Sequence, residues 1–170
     1  DYATVAIPAF NADSAYSYVA AQLSYGYRTP GSAAHEACAT YLARTMRQWC
    51  DTVIVQSFTA TLWDGSVHPA HNIICSFAPE AERRVVLGAH WDSRLWADHD
   101  PDATNHHKPL MGANDGASGV GLLMEMARVM SAERPKMGVD IVFFDMEDQG
   151  VPEWAEDYKE NSWCLGAQYW

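Results

Sequence analysis

The chain has 170 residues, and 48% of them are hydrophobic, which suffices for a packed core and argues against a disordered protein. Asp and Glu outnumber Lys and Arg by 22 to 11, giving a formal net charge of -11 with no basic stretch, so nucleic acid is a poor candidate partner. No apolar run approaches the roughly 18 residues that span a bilayer. Four cysteines, Cys38, Cys50, Cys75 and Cys164, form no C-x-x-C pair, which leaves the disulfide state and the compartment open.

The first half of the chain predicts two helices and then a pair of strands. Residues 13–25 place apolar side chains at helical spacing, and Ser32 is a typical N-cap for a second, longer helix that follows a Thr-Pro-Gly turn. Residues 52–61 alternate like a half-buried strand, and another strand begins at residues 71–75. The short turn between these strands predicts antiparallel pairing.

The second half predicts a strand, a helix and a second strand. Residues 85–89 and 139–144 are short runs of β-branched and aromatic residues, as expected of strands buried on both faces. Residues 116–131 between them have helical periodicity. A strand-helix-strand unit of this kind predicts parallel strands. The predicted fold class is therefore α/β, with a mixed central sheet that has a parallel core and is flanked by helices, in a single domain over residues 1–170.

Acids and histidines are concentrated immediately after the predicted parallel strands. His90-Trp91-Asp92 follows the first strand, Asn114-Asp115-Gly116 opens the helix, and the run from Asp145 to Asp148 follows the second strand. Ligands of open α/β sheets bind at the carboxyl ends of the strands, so these groups are expected to converge on one edge.

Carboxylates and imidazoles together form an ordinary set of zinc ligands. Asp115 and Asp148 are candidate ligands, and Glu147 is a candidate general acid and base because it lies beside a ligand. Asp115 is equally compatible with a simple capping role at the start of the helix. His90 either binds metal or is held by its neighbour Asp92.

Other catalytic motifs fail on inspection. The sequence Gly116-Ala117-Ser118-Gly119-Val120 lacks the last glycine of the G-x-S-x-G nucleophile elbow. His35-Glu36 is followed by Ala39 where H-E-x-x-H needs its second histidine. The chain has no phosphate-binding G-x-x-x-x-G-K-[ST] motif and no dinucleotide-binding G-x-G-x-x-G motif.

Several motifs, in their order along the chain, resemble those of the zinc aminopeptidase-like clan (peptidase family M28). Within it, the chain looks most similar to the animal-type glutaminyl cyclases and their bacterial relatives. The motifs that carry this resemblance are Tyr27-Arg28-Thr29-Pro30-Gly31-Ser32, His71-Asn72-Ile73-Ile74, Gly88-Ala89-His90-Trp91-Asp92-Ser93, Asn114-Asp115-Gly116-Ala117-Ser118-Gly119 and Phe144-Asp145-Met146-Glu147-Asp148.

The resemblance implies a zinc exopeptidase or phosphorylase/hydrolase-like fold in which Asp115 and Asp148 bind zinc and Glu147 is the catalytic acid and base. Asp148 stands where glutamate is more usual in the animal proteins. The family completes its site with a later catalytic aspartate and a zinc-binding histidine, and neither motif occurs here. We therefore expect the chain to be the amino-terminal part of such an enzyme.

The resemblance implies a zinc-dependent glutaminyl-peptide cyclotransferase that forms pyroglutamate and releases ammonia. The alternatives are an M28-type zinc aminopeptidase and, from another class, a non-catalytic peptide-binding module of the same fold. One zinc ion is expected for a cyclase, and two, with His90 as an added ligand, for an aminopeptidase. An insert that begins at Gln149 and carries Trp154 favours the cyclase.

The expected substrates are the amino termini of peptides or proteins. Trp91 and Trp154 are candidate substrate-binding residues, although tryptophan is more often ordinary packing. The resemblance to bacterial family members implies the periplasm, the cell envelope or secretion, and the sequence leaves the oligomeric state open.

Overall fold

The computed structural model describes residues 7–156 and 159–170. Its helices and strands follow the chain in the order α1 (Ala12–Ser24), α2 (Ala33–Met46), β1 (Thr52–Thr61), β2 (Val67–Phe77), β3 (Arg84–His90), a 3-10 turn (Ala103–Asn105), α3 (Ala117–Ala132), β4 (Gly138–Phe144) and α4 (Leu165–Tyr169). None of the helices in this part of the chain has the length and apolar character that a membrane span requires.

The strands form one mixed sheet in the order β1-β2-β4-β3. β1 and β2 are an antiparallel hairpin, and β2 is also antiparallel to β4, with Ile73 opposite Phe143. β3 and β4 are parallel, with His90 opposite Phe144 at their carboxyl ends. The crossover helix α3 joins this parallel pair, as the sequence predicts. The sheet is thus mixed and flanked by helices, which confirms the predicted fold class.

The main core lies on one face of the sheet, where α2 and α3 pack. Because side chains alternate along a strand, every second residue of β2 and β4 points to this face. The buried residues that meet there include Cys38, Leu42 and Met46 from α2, Ile73, Cys75 and Phe77 from β2, Val120, Leu123 and Met124 from α3, and Val139, Ile141 and Phe143 from β4. Cys38 is completely buried in this core.

The sequence correctly predicts both early helices, the hairpin and the strand-helix-strand unit, but it is wrong about the burial of β3. Val85 and Val86 are 40% and 50% exposed, whereas β4 is buried along most of its length. In the described part of the chain β3 pairs only with β4 and forms an edge of the sheet. An apolar run indicates that a strand tolerates burial, but its place in the sheet depends on the other strands.

Ser32 caps α2 as predicted, and its removal should destabilise the protein measurably. Its hydroxyl accepts a hydrogen bond from the His35 backbone N–H and donates one to the Tyr27 carbonyl, each 3.0 Å long. We expect Ser32→Ala to lower the free energy of unfolding by about 1 kcal/mol, measured by urea titration. Ser24→Ala is the matched control, because the exposed Ser24 hydroxyl only bonds back to its own helix. An equal loss in both variants would contradict a capping role.

Candidate active site

The predicted site residues lie at one edge of the sheet because β3 and β4 end side by side. His90 closes β3, and the turn from Asp145 to Asp148 follows the last residue of β4. Asp115 reaches the same edge from the loop that precedes α3, where its Oδ1 is 2.6 Å from His90 Nε2. His90 Nε2 is also 3.8 Å from Glu147 Oε2. The fold therefore brings Asp115, His90 and Glu147 together.

His90 lies between two carboxylates. Its Nε2 is 2.6 Å from Asp115 Oδ1, and its Nδ1 is 3.3 Å from Asp92 Oδ1, so the ring is within hydrogen-bond distance of both carboxylates. Burial opposes a charge on His90, but the hydrogen bond and charge of Asp92, with smaller contributions from Glu147 and Asp115, raise its pKa to about 9. A protonated imidazole offsets part of the negative charge around it.

Asp92 also fixes the turn that carries the other candidate residues. Its buried carboxylate accepts hydrogen bonds from the backbone N–H groups of Glu147 and Asp148, at 3.1 and 3.3 Å, and from the Gln149 side-chain amide at 2.9 Å. Burial alone would raise the pKa of Asp92, but His90 and these donors outweigh it and lower the pKa. An ionised Asp92 therefore ties the end of β3 to the turn after β4.

Asp148 is mostly buried and lies next to a cation that the sequence did not single out. Arg94 Nη1 donates to the Asp148 carbonyl at 3.0 Å and lies 3.5 Å from its Oδ1. Burial, followed by the charges of Asp115 and Asp92, raises the pKa of Asp148 to about 7 against the opposing charge of Arg94. The charge of Asp115, the other predicted metal ligand, thus contributes to the raised pKa of Asp148.

Arg94 is itself held by a buried ion pair. Its Nε and Nη2 donate to the two carboxylate oxygens of Asp98 at 2.7 and 2.5 Å, and both side chains are almost inaccessible. Its guanidinium also lies over the rings of Trp96 and Trp163, 5.6 and 4.7 Å from their centroids. The long polar loop after β3 offered no periodicity from which this pairing could have been predicted.

Residues far away in sequence support the same turn. Asp145 is fully buried, and its carboxylate accepts hydrogen bonds from His35 Nε2 at 2.9 Å and from the His71 backbone N–H at 2.7 Å. The His35 ring stacks on Trp91, with 4.4 Å between the centroids. His35, which the sequence excluded as part of a metal motif, is thus a buried support for the turn.

Of the two tryptophans predicted to bind substrate, only Trp154 reaches the surface. Trp91 is completely buried and its indole N–H donates to the His71 carbonyl, so the structure places it in the core, which corrects the prediction. Trp91 comes directly after β3 in an extended segment, where neighbouring side chains point to opposite sides. Trp154 is 36% exposed and contacts Trp96 and His107, at centroid distances of 6.2 and 4.5 Å.

The described residues at this edge have the right chemistry for a divalent cation but do not form a complete metal site. A cation would relieve the repulsion between Asp115 and Asp148 that contributes to the raised pKa of Asp148. Across residues 7–156 and 159–170, no three His, Cys, Asp or Glu side chains are arranged to hold a metal ion. A catalytic zinc site with three protein ligands therefore requires at least one donor besides these two carboxylates.

The sequence matches the family model described as peptidase family M28 over residues 72–170. The chain belongs to peptidase family M28. The matched range contains the edge described above, from His90 to the turn that ends at Asp148, and it includes Trp154. Members of the M28 family and its relatives are named as zinc peptidases or glutaminyl cyclases, so the chain belongs among enzymes.

Solved structures of M28 relatives superpose closely on this chain. A Zn-dependent exopeptidase from Parabacteroides distasonis is 53% identical with a TM-score of 0.95, over 97% of this chain and 56% of the other. The glutaminyl cyclase of Tannerella forsythia is 52% identical with a TM-score of 0.94, over 96% of this chain and 56% of the other. The chain is thus almost equally similar to an exopeptidase and to a glutaminyl cyclase, which catalyse different reactions.

A curated relative is more distant. The glutaminyl-peptide cyclotransferase of Drosophila melanogaster is 29% identical over 134 residues, which are 75% of this chain and 35% of that protein. The chain thus spans about half the length of the solved M28 relatives and about a third of this curated one.

Proposed function

We propose that the protein containing this chain is a zinc-dependent glutaminyl-peptide cyclotransferase, which converts an amino-terminal glutamine to pyroglutamate and releases ammonia. The observation that carries the proposal is a cluster of tryptophans, Trp96, Trp154 and Trp163, beside the candidate acids. Arg94 connects the two, since it donates to the Asp148 carbonyl and stacks on Trp96 and Trp163. Solved glutaminyl cyclases are among the structures similar to this chain, as is a Zn-dependent exopeptidase, so the choice between the two reactions rests on the tryptophan cluster.

The tryptophan cluster has a physical role in cyclisation. The glutamine side chain must fold back so that its amide carbon meets its own α-amine, and a confined aromatic wall favours such a compact conformer over an extended one. Trp154 and Trp163 are 36% and 41% exposed, so part of each ring is accessible to a ligand. Trp154 is therefore proposed as a substrate-binding residue, as the sequence suggested.

Asp115 and Asp148 would hold one zinc ion, which supplies Lewis-acid polarisation of the glutaminyl amide carbonyl when it is bound. A remaining protein ligand would come from outside the described residues, and we propose that the chain is the amino-terminal part of the enzyme. His90 is proposed to stay outside the ligand set, because its Nε2 is within hydrogen-bond distance of Asp115 and its Nδ1 faces Asp92.

Glu147 is proposed to move both protons of the reaction. Once the amino terminus has lost its extra proton to solvent, the Glu147 carboxylate takes a proton from the uncharged α-amine as the amine nitrogen bonds to the side-chain amide carbon. It then gives a proton to the departing nitrogen, so that the carbon–nitrogen bond breaks with loss of ammonia. With 35% of its side chain exposed and its backbone held by Asp92, Glu147 is both accessible and fixed. Its negative charge and the acidic surroundings also attract the positively charged amino terminus of a peptide.

The aminopeptidase alternative rests on the exopeptidase similarity and on the position of His90. His90 Nε2 lies beside Asp115, where a histidine could serve a second metal ion. In that reaction water replaces the α-amine as the nucleophile, and Glu147 carries its proton to the leaving amine. The two reactions therefore share Asp115, Asp148 and Glu147, and they differ in the nucleophile, in the bond that breaks and in the use of His90.

The deciding experiment offers both substrates to the zinc-loaded, full-length protein. Ammonia release from a peptide with amino-terminal glutamine is measured beside chromophore release from an aminoacyl anilide, and mass spectrometry follows the peptide. A peptide that loses only the mass of ammonia, without cleavage, supports the cyclase. Anilide cleavage alone would replace it by the aminopeptidase. If the protein binds zinc and the peptide but releases neither ammonia nor the chromophore, the result would favour a non-catalytic peptide-binding module.

The proposed location is outside the cytoplasm, in the periplasm, in the envelope or secreted, as the family resemblance implies. Cell fractionation of the source organism with antibody detection tests it. Recovery of the protein only with cytoplasmic markers would overturn this part of the proposal.

A further inference from the structure

A short segment after the tryptophan cluster, residues 164–166, is hydrogen-bonded along the turn that carries the proposed acid and base. We name this segment the clamp. Three successive backbone N–H groups of the clamp donate to three successive carbonyls of the turn: Cys164 to Glu147 at 2.9 Å, Leu165 to Met146 at 2.9 Å and Gly166 to Asp145 at 3.0 Å. Bonds in this register fix the distance and direction between the clamp and the turn.

The clamp lies so close to the turn that side chains there must fit the space. A Cβ atom at Gly166 would collide with the Asp145 carbonyl oxygen and lie 2.5 Å from Asn72 Oδ1, which no real side chain tolerates. Asn72 completes the attachment, since its amide nitrogen donates to the Gly166 carbonyl at 2.8 Å. Displacement of the clamp would therefore displace the turn.

Cys164 is the residue of the clamp whose side chain reaches the proposed acid and base itself. Its Sγ lies 3.3 Å from Glu147 Oε1, a distance at which a thiol donates a hydrogen bond to a carboxylate. The other carboxylate oxygen, Oε2, faces His90 Nε2 at 3.8 Å. The two oxygens of Glu147 thus have different neighbours, the Cys164 thiol at Oε1 and the His90 ring at Oε2.

Cys164 holds this position at a backbone conformation that a cysteine rarely adopts. Its φ is 55°, in the left-handed region that favours glycine, immediately before α4 begins. Burial, and then Glu147, raise the pKa of the thiol, so that it keeps its proton as a donor at neutral pH. Glycine would adopt this backbone conformation with less strain, so the presence of cysteine at this position is explained by its side chain.

We propose that Cys164 is a positioning residue for Glu147: its thiol donates to Oε1, stops rotation of the carboxylate and keeps Oε2 directed at the reacting proton. The inference rests on the proposed function, because it assigns Glu147 the proton transfers. A thiol in this role does not touch the substrate, so it should affect the chemical step and leave binding alone.

The test is a series of three substitutions at this position in the full-length, zinc-loaded protein. Cys164→Ala removes the donor and should lower kcat for ammonia release about tenfold, with KM changed less than about twofold. Cys164→Ser keeps a donor and should recover most of the lost kcat. Cys164→Gly also lacks the donor but relieves the left-handed backbone, so it should lose kcat like the alanine variant while melting at the wild-type temperature or above.

These variants separate positioning from simple stability. A fall in kcat that follows the melting temperature through the series, or equal activity in the alanine and serine variants, would overturn the proposal. Infrared spectroscopy gives a second readout that needs no turnover: the S–H stretching band lost in Cys164→Ser should shift when Glu147 is replaced by Gln. An unshifted band would show that the thiol does not hydrogen-bond to Glu147, whatever reaction the protein catalyses. A shifted band in a protein that does not act on glutaminyl peptides would reject the cyclase and leave the contact between Cys164 and Glu147 in place.

Discussion

Glu147→Gln should lower kcat for ammonia release by about 10²- to 10⁴-fold, because a carboxamide can neither take a proton from the α-amine nor return one to the leaving nitrogen. The substitution preserves size and shape, and the backbone of residue 147 stays bonded to Asp92, so the fold should be unchanged. The zinc content should also be unchanged, since Glu147 is not one of the proposed ligands. Steady-state kinetics on a glutaminyl peptide, with zinc determined by mass spectrometry, measures both.

Glu82→Gln is the matched control for this result. Glu82 is exposed and precedes β3, at the end of the strand opposite to His90. It carries the same charge, so its substitution removes one negative charge without touching the site, and we expect wild-type kinetics. A Glu147→Gln protein that kept wild-type kcat would exclude Glu147 as the acid and base, and a similar loss in both variants would indicate a general effect of charge.

Arg94→Met should destabilise the protein more than any other single substitution proposed for this edge of the sheet. It leaves the carboxylate of Asp98 buried without its cation, and breaking a buried pair in this way costs roughly 3–5 kcal/mol. Arg134→Met is the control, since Arg134 pairs with Asp51 at the surface and its loss should cost about 1 kcal/mol or less. Urea unfolding of both variants gives the comparison, and equal costs would contradict the importance of burial.

The loss in Arg94→Met should also depend on pH. Burial alone would raise the pKa of the Asp98 carboxyl, but the hydrogen bond and charge of Arg94 outweigh it and lower the pKa. Because the pKa of Asp98 is lower in the folded than in the unfolded state, its ionisation stabilises the folded protein at pH values above the unfolded-state pKa of about 4. This contribution is lost as the pH falls through the folded-state pKa. In the variant, the buried Asp98 without its cation should take up a proton already above pH 4, so the difference in stability between wild type and variant should narrow as the pH falls and go on narrowing below about pH 4. A constant difference would assign the loss to packing.

The helices and strands could be predicted from the sequence because each has its own hydrophobic periodicity. The main acids of the site could be predicted because they stand directly after predicted strands or at the start of the predicted helix. The N-cap at Ser32, the hairpin and the crossover helix α3 are of this kind. The gathering of Asp115, His90 and Glu147 at one edge follows in turn from the parallel pairing of β3 and β4.

The supporting residues could not be predicted in the same way. Arg94, His35 and Cys164 reach the site from a loop without periodicity, from a helix and from the start of α4, and their partners are far away in sequence. These contacts depend on the conformations of long side chains and of loops, which local patterns in a single sequence do not predict. The burial of Trp91 is a different case, since the alternation of side chains along an extended segment sets it opposite His90.

The pairing of β2 with β4 bears on when the candidate site forms during folding. The β1–β2 hairpin closes between neighbouring segments, but Ile73 meets Phe143 only after the intervening chain has formed a large loop. Pairing between strands that are far apart in sequence is slow, because closing the loop between them costs entropy before the strands make any stabilising contact. Glu147 and Asp148 follow β4 directly, so the turn that carries them has no fixed position until that strand docks. In refolding experiments on the full-length protein, the proposed activity should accordingly appear at the same rate as the completed sheet, with no active species before it.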